Sequence, residues 1–272
     1  MHIIAEVTYK CPAKCEHCPI PLEKRKQTMK LHQFKSALEA FMSYFNQTSR
    51  RLLTISGGEP SLLRDLHKFV KIARDLKFTV TIVTNCYNID NILNAKPDFV
   101  QISLDGFMNM HNNSRKIELW SNVRQMLLKI KEGRVKGFVR YTLTKHNFED
   151  LLKIRLFLDS LGLNNVKIYA MPIRKRPELA PTEVDIYNVI KTGVAILPIR
   201  CPAGKGQFVI TPEMEVLDCI FNRRVLGKLS EFSLEEIHNI VKEGRKSEFY
   251  PCGEPYWWVE EVDYYATLSR MR

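Results

Sequence analysis

The chain has 272 residues, of which 45% are hydrophobic and 26% charged, and its formal net charge is +11. That composition supplies an ordinary globular core and excludes a disordered or collagen-like chain, and no apolar run approaches the ~18 residues a spanning helix needs. The start, Met1-His2-Ile3-Ile4-Ala5-Glu6-Val7, lacks the basic-then-apolar layout of a secretory signal, so a cytoplasmic location is expected.

Residues 2 to 9 alternate, with Glu6 and Thr8 on one face and Ala5, Val7 and Tyr9 on the other, which predicts a strand. A loop with Cys11, Cys15 and Cys18 follows. Phe34, Leu38, Phe41 and Phe45 then predict a helix from about Leu31 to Phe45. Residues 51 to 56 read as a short strand running into Gly57-Gly58-Glu59-Pro60, with Ser61 as the cap of the next helix. Further strands are predicted at Phe78–Thr84, Asp98–Leu104, Lys136–Thr144 and Val166–Met171, and Asn147 caps a helix carrying Leu151, Ile154 and Leu158. Strands alternating with helices at this spacing imply βα units and a parallel sheet. Six units are too few to close an eight-stranded barrel. The expected fold is therefore α/β, an open partial (βα)6 barrel over residues 1–171. A proline-rich basic linker at 172–182 leads to a small C-terminal domain at 183–272, which opens with a helix from about Glu183 to Thr192 and ends in an aromatic tail.

Seven cysteines are an odd number, so disulfides cannot absorb them all, and without a secretion signal their clustering suggests metal ligands. Three thiolates at intervals of four and three can hold three irons of a cubane cluster whose sites are normally filled by four cysteines. The fourth iron would be open to a small molecule. A structural zinc knuckle is the alternative, with His17 as a fourth ligand, although His17 is squeezed between two of the cysteines. Basic runs at Lys24–Lys26, Arg50-Arg51 and Arg174–Arg176 can attract RNA or acidic partners. They are not interleaved with aromatic residues in an RNA-binding motif, so a solvated basic surface is the preferred reading.

Cys11-x-x-x-Cys15-x-His17-Cys18 after a first strand resembles the cluster loop of the radical S-adenosylmethionine (SAM) enzymes, with His17 at the usual aromatic position. The resemblance implies that a [4Fe-4S] cluster on these cysteines binds SAM and cleaves it to a 5′-deoxyadenosyl radical. Gly57-Gly58-Glu59-Pro60 resembles the family's motif for the methionine amine, and Ser103-Leu104-Asp105-Gly106 its Ser-x-Asp-Gly segment, placing Ser103 and Asp105 near the ribose or the substrate mouth. His17 is expected beside the adenine, with Met171 lining the same pocket. Arg140 is expected to pair with the SAM carboxylate, the alternative being a helix-facing surface arginine. Thr84-Asn85-Cys86 departs from the family's Thr-Asn-Gly, and Cys86 reads either as a hydrogen-atom donor or, more commonly for such a residue, as a buried inert thiol.

Cys201 and Cys219 resemble the auxiliary-cluster hairpin of the SPASM/twitch subgroup, with Met214 where the pattern has glycine and Cys252 as a third ligand. Three cysteines suit the smaller twitch form, in which either an open iron or an oxygen ligand such as Asp218 or Glu254 completes the set. A zinc site with an oxygen ligand is the alternative. The family's substrates include peptides, aminocyclitols, nucleotides and tetrapyrroles. A small molecule or peptide is expected here, with ferredoxin or flavodoxin as reductant and no membrane partner. An RNA- or nucleotide-modifying enzyme and a non-catalytic iron–sulfur or zinc protein are the other readings. The chain begins directly in its first strand, so no separate leader-peptide-binding domain is expected.

Overall fold

The computed structural model of the chain describes residues 1–24, 26–45, 50–174, 176–197 and 202–246. Its strands form one nine-stranded sheet in the order β6-β5-β4-β3-β2-β1-β7-β8-β9. The first six are β1 (His2–Thr8), β2 (Leu52–Gly57), β3 (Thr79–Thr84), β4 (Phe99–Ser103), β5 (Lys136–Leu143) and β6 (Ile168–Pro172). Each runs parallel to its neighbour. The crossovers are α1 (Leu31–Tyr44), α2 (Leu66–Asp75), α3 (Ile89–Ala95), the pair α4 (Asn109–Arg115) and α5 (Trp120–Lys131), and α6 (Phe148–Ser160). This is the α/β partial barrel expected from the sequence.

The alternation along the strands explains the layering. Ala5, Ile55, Ile82, Ile102, Val139 and Ala170 are fully buried and join the inward faces of the helices in one core. Ser56, Val83, Ser103, Arg140 and Met171 lie on the opposite face and are only half-buried. One face therefore carries the hydrophobic burial that holds the fold, and the other keeps polar side chains accessible.

Beyond β6, α7 (Glu183–Thr192) starts on Thr182, whose side chain accepts a hydrogen bond from Asp185 N. The chain then returns to the far side of β1. There β7 (Gln207–Ile210) pairs parallel with β1, and β8 (Glu215–Leu217) and β9 (Val225–Lys228) add antiparallel. The C-terminal strands thus extend the barrel sheet itself. Helix α8 (Leu234–Arg245) packs on α1 and β9, and Phe208 sits 5.6 Å from Phe41, ring to ring.

Two local expectations are corrected. Ser61 does not cap α2: it lies in a 3-10 turn at Pro60–Leu62, and α2 begins after Asp65. Asn147 holds the cap position of α6, but its side chain staples strand ends instead, donating to Thr142 O at 2.8 Å and Asp105 O at 3.0 Å.

Candidate active site

The cysteine loop leaves β1 and is pinned from two sides. Gly58 N donates to Thr8 O at 2.6 Å and Glu59 N to Lys10 O at 2.8 Å, laying the Gly-Gly-Glu-Pro turn along the start of the loop. From the other side Lys14 N donates to Arg115 O at 3.1 Å. A Cβ on Gly57 would stand 2.2 Å from Thr8 O, and one on Gly58 2.3 Å from Lys10 O; Gly57 also has φ +116. The glycines are therefore required for two backbones to touch. Gly58→Ala is expected to cost about 2–3 kcal/mol and to reduce the iron retained after reconstitution, measured by thermal denaturation and iron assay.

Cys11, Cys15 and Cys18 are half-buried and free, and Cys18 N bonds to Cys15 O at 3.2 Å in a tight turn. Burial pushes the Cys11 thiol up to about 11, with the charges of Glu59 and the other two cysteines adding to it. Burial also raises Cys15, opposed by Arg115. Such thiols become thiolates only beside a cation, which is what iron supplies. Among the described residues, no three His, Cys, Asp or Glu side chains converge as ligands of a single metal ion do. An iron–sulfur cube takes one thiolate per iron and needs no such convergence. The residues present fit the cluster.

Glu59 is fully buried, and its carboxylate receives Ser61 N at 3.0 Å, Thr84 Oγ1 at 2.8 Å and Asn85 N at 2.7 Å. Burial raises its pKa against these hydrogen bonds. Its carboxylate ties the end of β3 to the glycine turn. Asn85 continues the chain, its Nδ2 lying 3.8 Å from Cys11 Sγ. Cys86 is fully buried at φ +68, and burial pushes its thiol far up. That is the environment of the inert reading.

Asp105, past the end of β4, is the hub of a buried network. Arg115 Nη2 lies 2.6 Å from Oδ2 as a close ion pair, His17 Nε2 lies 3.5 Å from the same oxygen, and Thr142 N donates to Oδ1 at 3.1 Å. Asp105 N in turn donates to His111 Nδ1 at 3.3 Å. Burial opposes ionisation of Asp105, but Arg115, His17 and His111 outweigh it and hold the carboxyl down at about 2. Burial lowers His17 as well, opposed by Asp105.

His111 and His2 are both depressed to about 4, chiefly by burial. An unfolded chain accepts these protons near 6.5, whereas the folded chain refuses them until about 4. Stability from the neutral imidazoles is thus complete above pH 6.5 and is lost as pH falls towards 4, by up to roughly 3 kcal/mol per histidine. Urea midpoints at pH 7, 5.5 and 4.5 check this, and His111→Gln is expected to flatten part of the slope.

Ser103 and Arg140 are paired across β4 and β5. Arg140 shares its face with Phe138 and Thr142, opposite the buried Val139 and Tyr141. Met171 stands beside Thr142 in the register. The same face of β1 carries Glu6, which is 2% exposed. It receives Arg223 Nη1 at 2.9 Å and Nη2 at 3.0 Å, while Tyr9 Oη donates to Glu6 Oε2 at 2.8 Å. Arg223 follows Cys219 in the turn between β8 and β9 and bonds its N to Cys219 O at 2.9 Å. Cys219 is buried, and its Sγ accepts from Phe221 N at 3.3 Å. Asp218 is already used inside this turn, accepting from Asn222 Nδ2 at 2.8 Å and Arg224 N at 3.2 Å. Cys201, Cys252 and Glu254 lie outside the described residues.

The sequence reading missed Arg115, His111, Arg223 and the Asn85 contact with Cys11. His111 and Arg115 stand four apart just after Asp105-Gly106, a spacing that puts both on one helical face. Glu6, between Ala5 and Val7 in a buried strand, also signalled a need for a partner.

A six-stranded partial barrel that gathers three free thiols and a glycine turn at the C-terminal ends of β1 and β2 is the frame of a cluster-dependent enzyme. Residues 5–158 match the radical SAM superfamily. The chain belongs to that superfamily, whose resident groups are a [4Fe-4S] cluster and SAM. It is 23% identical over 301 residues to the PqqA peptide cyclase of Bradyrhizobium diazoefficiens, covering 95% of this chain and 76% of that protein. The PqqA peptide cyclase of Rhodopseudomonas palustris is 23% identical over 267 residues, covering 83% of this chain and 68% of that one. In fold it is similar to Streptococcus suis SuiB bound to S-adenosylmethionine, with a TM-score of 0.70 at 14% identity. That match covers 85% of this chain and 63% of SuiB, so the chain spans less than two thirds of that protein. Native anSMEcpe with bound AdoMet gives a TM-score of 0.68 at 16% identity, over 89% of this chain and 81% of that one. No helix among the described residues is long and apolar enough to cross a membrane.

Proposed function

We propose that the protein cleaves SAM reductively and removes a hydrogen atom from a residue of a peptide substrate. Cys201, Cys219 and Cys252 would hold an auxiliary iron–sulfur cluster, which would supply an electron acceptor for oxidation or cross-linking. The observation that carries the reading is the backbone contact between the cysteine loop and the glycine turn, which supports a cluster on the loop with an amine cradle beside it. When bound, the cluster and SAM supply the one-electron cleavage of a carbon–sulfur bond; the chain holds, orients and shields them. Cys11, Cys15 and Cys18 would hold the SAM-binding cluster through their thiolates. Backbone groups of Gly57 and Gly58 receive the amine, Ser103 the ribose and Arg140 the carboxylate, with His17 beside the adenine. Glu59 and Asp105, both buried and already bonded within the protein, act by holding these groups in place.

The peptide substrate is supported by the two relatives named as PqqA peptide cyclases. Similar folds have been solved with SuiA precursor peptide on SuiB and with Cp18Cys peptide on anSMEcpe. A small-molecule substrate is the second reading, favoured by the lesser likeness to BtrN in complex with AdoMet and 2-DOIA, at a TM-score of 0.51. Ferredoxin or flavodoxin serves as reductant, and the enzyme works in the cytoplasm. Anaerobically reconstituted protein is expected to form 5′-deoxyadenosine from SAM under reduction. Mass spectrometry of cell extract incubated with enzyme, SAM and reductant is expected to show a peptide lighter by hydrogen. Iron-loaded protein that leaves SAM intact would contradict the reading.

A further inference from the structure

The sheet is open between β6 at one edge and β7–β9 at the other, and a cavity of about 300 Å³ lies where both edges meet the cluster loop. Its walls are Glu16 to Pro19 from the loop, Arg174 and Arg176 beyond β6, and Phe221 and Arg223 from the turn after β8. Among the described residues, three arginines and one carboxylate line it, Arg223 paired with Glu6 and Arg176 with Glu178 just outside the wall. Glu16 is exposed and sits 3.5 Å from Lys116. Arg223 is locked by Glu6 and Tyr9, lies over the Tyr9 ring at 5.6 Å, and forms a rigid wall. Arg176 ties the other wall to the loop, its Nη1 donating to Glu16 O at 2.9 Å while its Nε meets Glu178. Arg174 reaches back along β6, its Nη2 at 3.3 Å from Met171 Sδ.

We propose that this cavity receives a carboxylate of the peptide substrate, with Arg174 and Arg176 as its cationic partners. The inference rests on the peptide reading above and narrows it to peptides that present a carboxylate to this cavity. A planar guanidinium matches a carboxylate with two parallel hydrogen bonds. The volume is at the lower end for ligand pockets and suits one or two residues rather than a large ring system. Phe221 offers an apolar wall to the methylenes of a glutamate. Because His17 and Cys18 line the same cavity, a residue anchored there is held beside the cluster and the adenine of bound SAM. The carboxylate is either a side chain or the C-terminus of the peptide.

The test uses the reconstituted enzyme with SAM and three tetramethylrhodamine-labelled ten-residue peptides on a Gly/Ser background, followed by anisotropy at physiological salt. One peptide carries two glutamates and a C-terminal amide, one carries glutamines in their place, and the third is the glutamine peptide with a free C-terminus. The glutamate peptide, or the free-acid one if the C-terminus is read, is expected to bind about tenfold more tightly than the glutamine amide. Arg174→Gln/Arg176→Gln is expected to remove the preference, and Lys35→Gln/Lys71→Gln, exposed on α1 and α2, to keep it. Equal binding of all three peptides overturns the carboxylate site but leaves the peptide reading standing. Equal loss in both double variants overturns the site in favour of diffuse charge attraction. Failure of every peptide to bind overturns the carboxylate site, while the peptide reading stands or falls on the mass spectrometry of cell extract.

Discussion

Cys15→Ala is expected to bring 5′-deoxyadenosine formation below detection and to remove the iron of the first cluster. Cys15 is the middle thiol of the loop, its carbonyl accepts the Cys18 amide at 3.2 Å, and its side chain lies near the Arg115 guanidinium. Under the proposed three-cysteine ligation, two remaining thiolates are too few to hold the cube. Asn85, 3.8 Å from Cys11 Sγ, has only a neutral amide to offer and cannot replace a lost thiolate. Iron and acid-labile sulfide assays on the anaerobically purified variant, beside the SAM cleavage assay, separate loss of cluster from loss of turnover. A variant that keeps its full iron content and still cleaves SAM would show that another group ligates the first cluster.

Asp105→Asn is expected to produce a large loss of stability. The carboxylate joins four parts of the fold: the end of β4 it belongs to, Thr142 on β5, Arg115 on α4 and His17 in the cluster loop. Neutralising it leaves Arg115, itself 8% exposed, as an uncompensated buried cation, which typically costs about 3–5 kcal/mol. In a chain of this size that corresponds to a fall in Tm of roughly 10 °C. Arg115→Met leaves the buried carboxylate alone and is expected to cost a similar amount, while the double variant costs less than the sum because the two groups share one interaction. Strict additivity would mean that Asp105 and Arg115 do not act as a pair.

The sequence disclosed the barrel because its strands obey two rules together: period-two burial and β-branched composition. The reading left out α3, α4, α5 and α8, and for α4 and α5 the reason is physical. Met108 and Leu119, which precede these helices, make no side-chain cap, and Met108 enters at φ +49, so the usual start signals are missing. The starts of α3 and α8 did carry cap signals that the reading did not use, since Asn88 accepts from Asn91 N and Ser233 from Glu236 N. How the C-terminal strands attach was not legible, because the pairing of β7 with β1 joins residues about two hundred positions apart in the chain.

Two departures from the family's pattern are instructive. Cys86 and Met214 stand where glycine is usual, and both keep the left-handed backbone that glycine would adopt freely, with φ of 68 and 64. Each bears roughly 1–2 kcal/mol of strain. Each is also fully or nearly fully buried in the main core, where a packed side chain contributes about the same in return. The chemistry was legible as motifs, but its supports were not. The clamp of Arg223 on Glu6 and Tyr9 links residues more than two hundred apart, and no local spacing announces it.

The most direct measurement is the electron paramagnetic resonance spectrum of the reduced protein carrying only its N-terminal cluster, with Cys219→Ala and Cys252→Ala introduced, before and after addition of SAM. Three-cysteine ligation with one iron lacking a side chain predicts a clear change in the signal when SAM is added, and its loss in Cys11→Ala. An identical spectrum in the presence and absence of SAM would show that the fourth corner is already filled and would contradict the account.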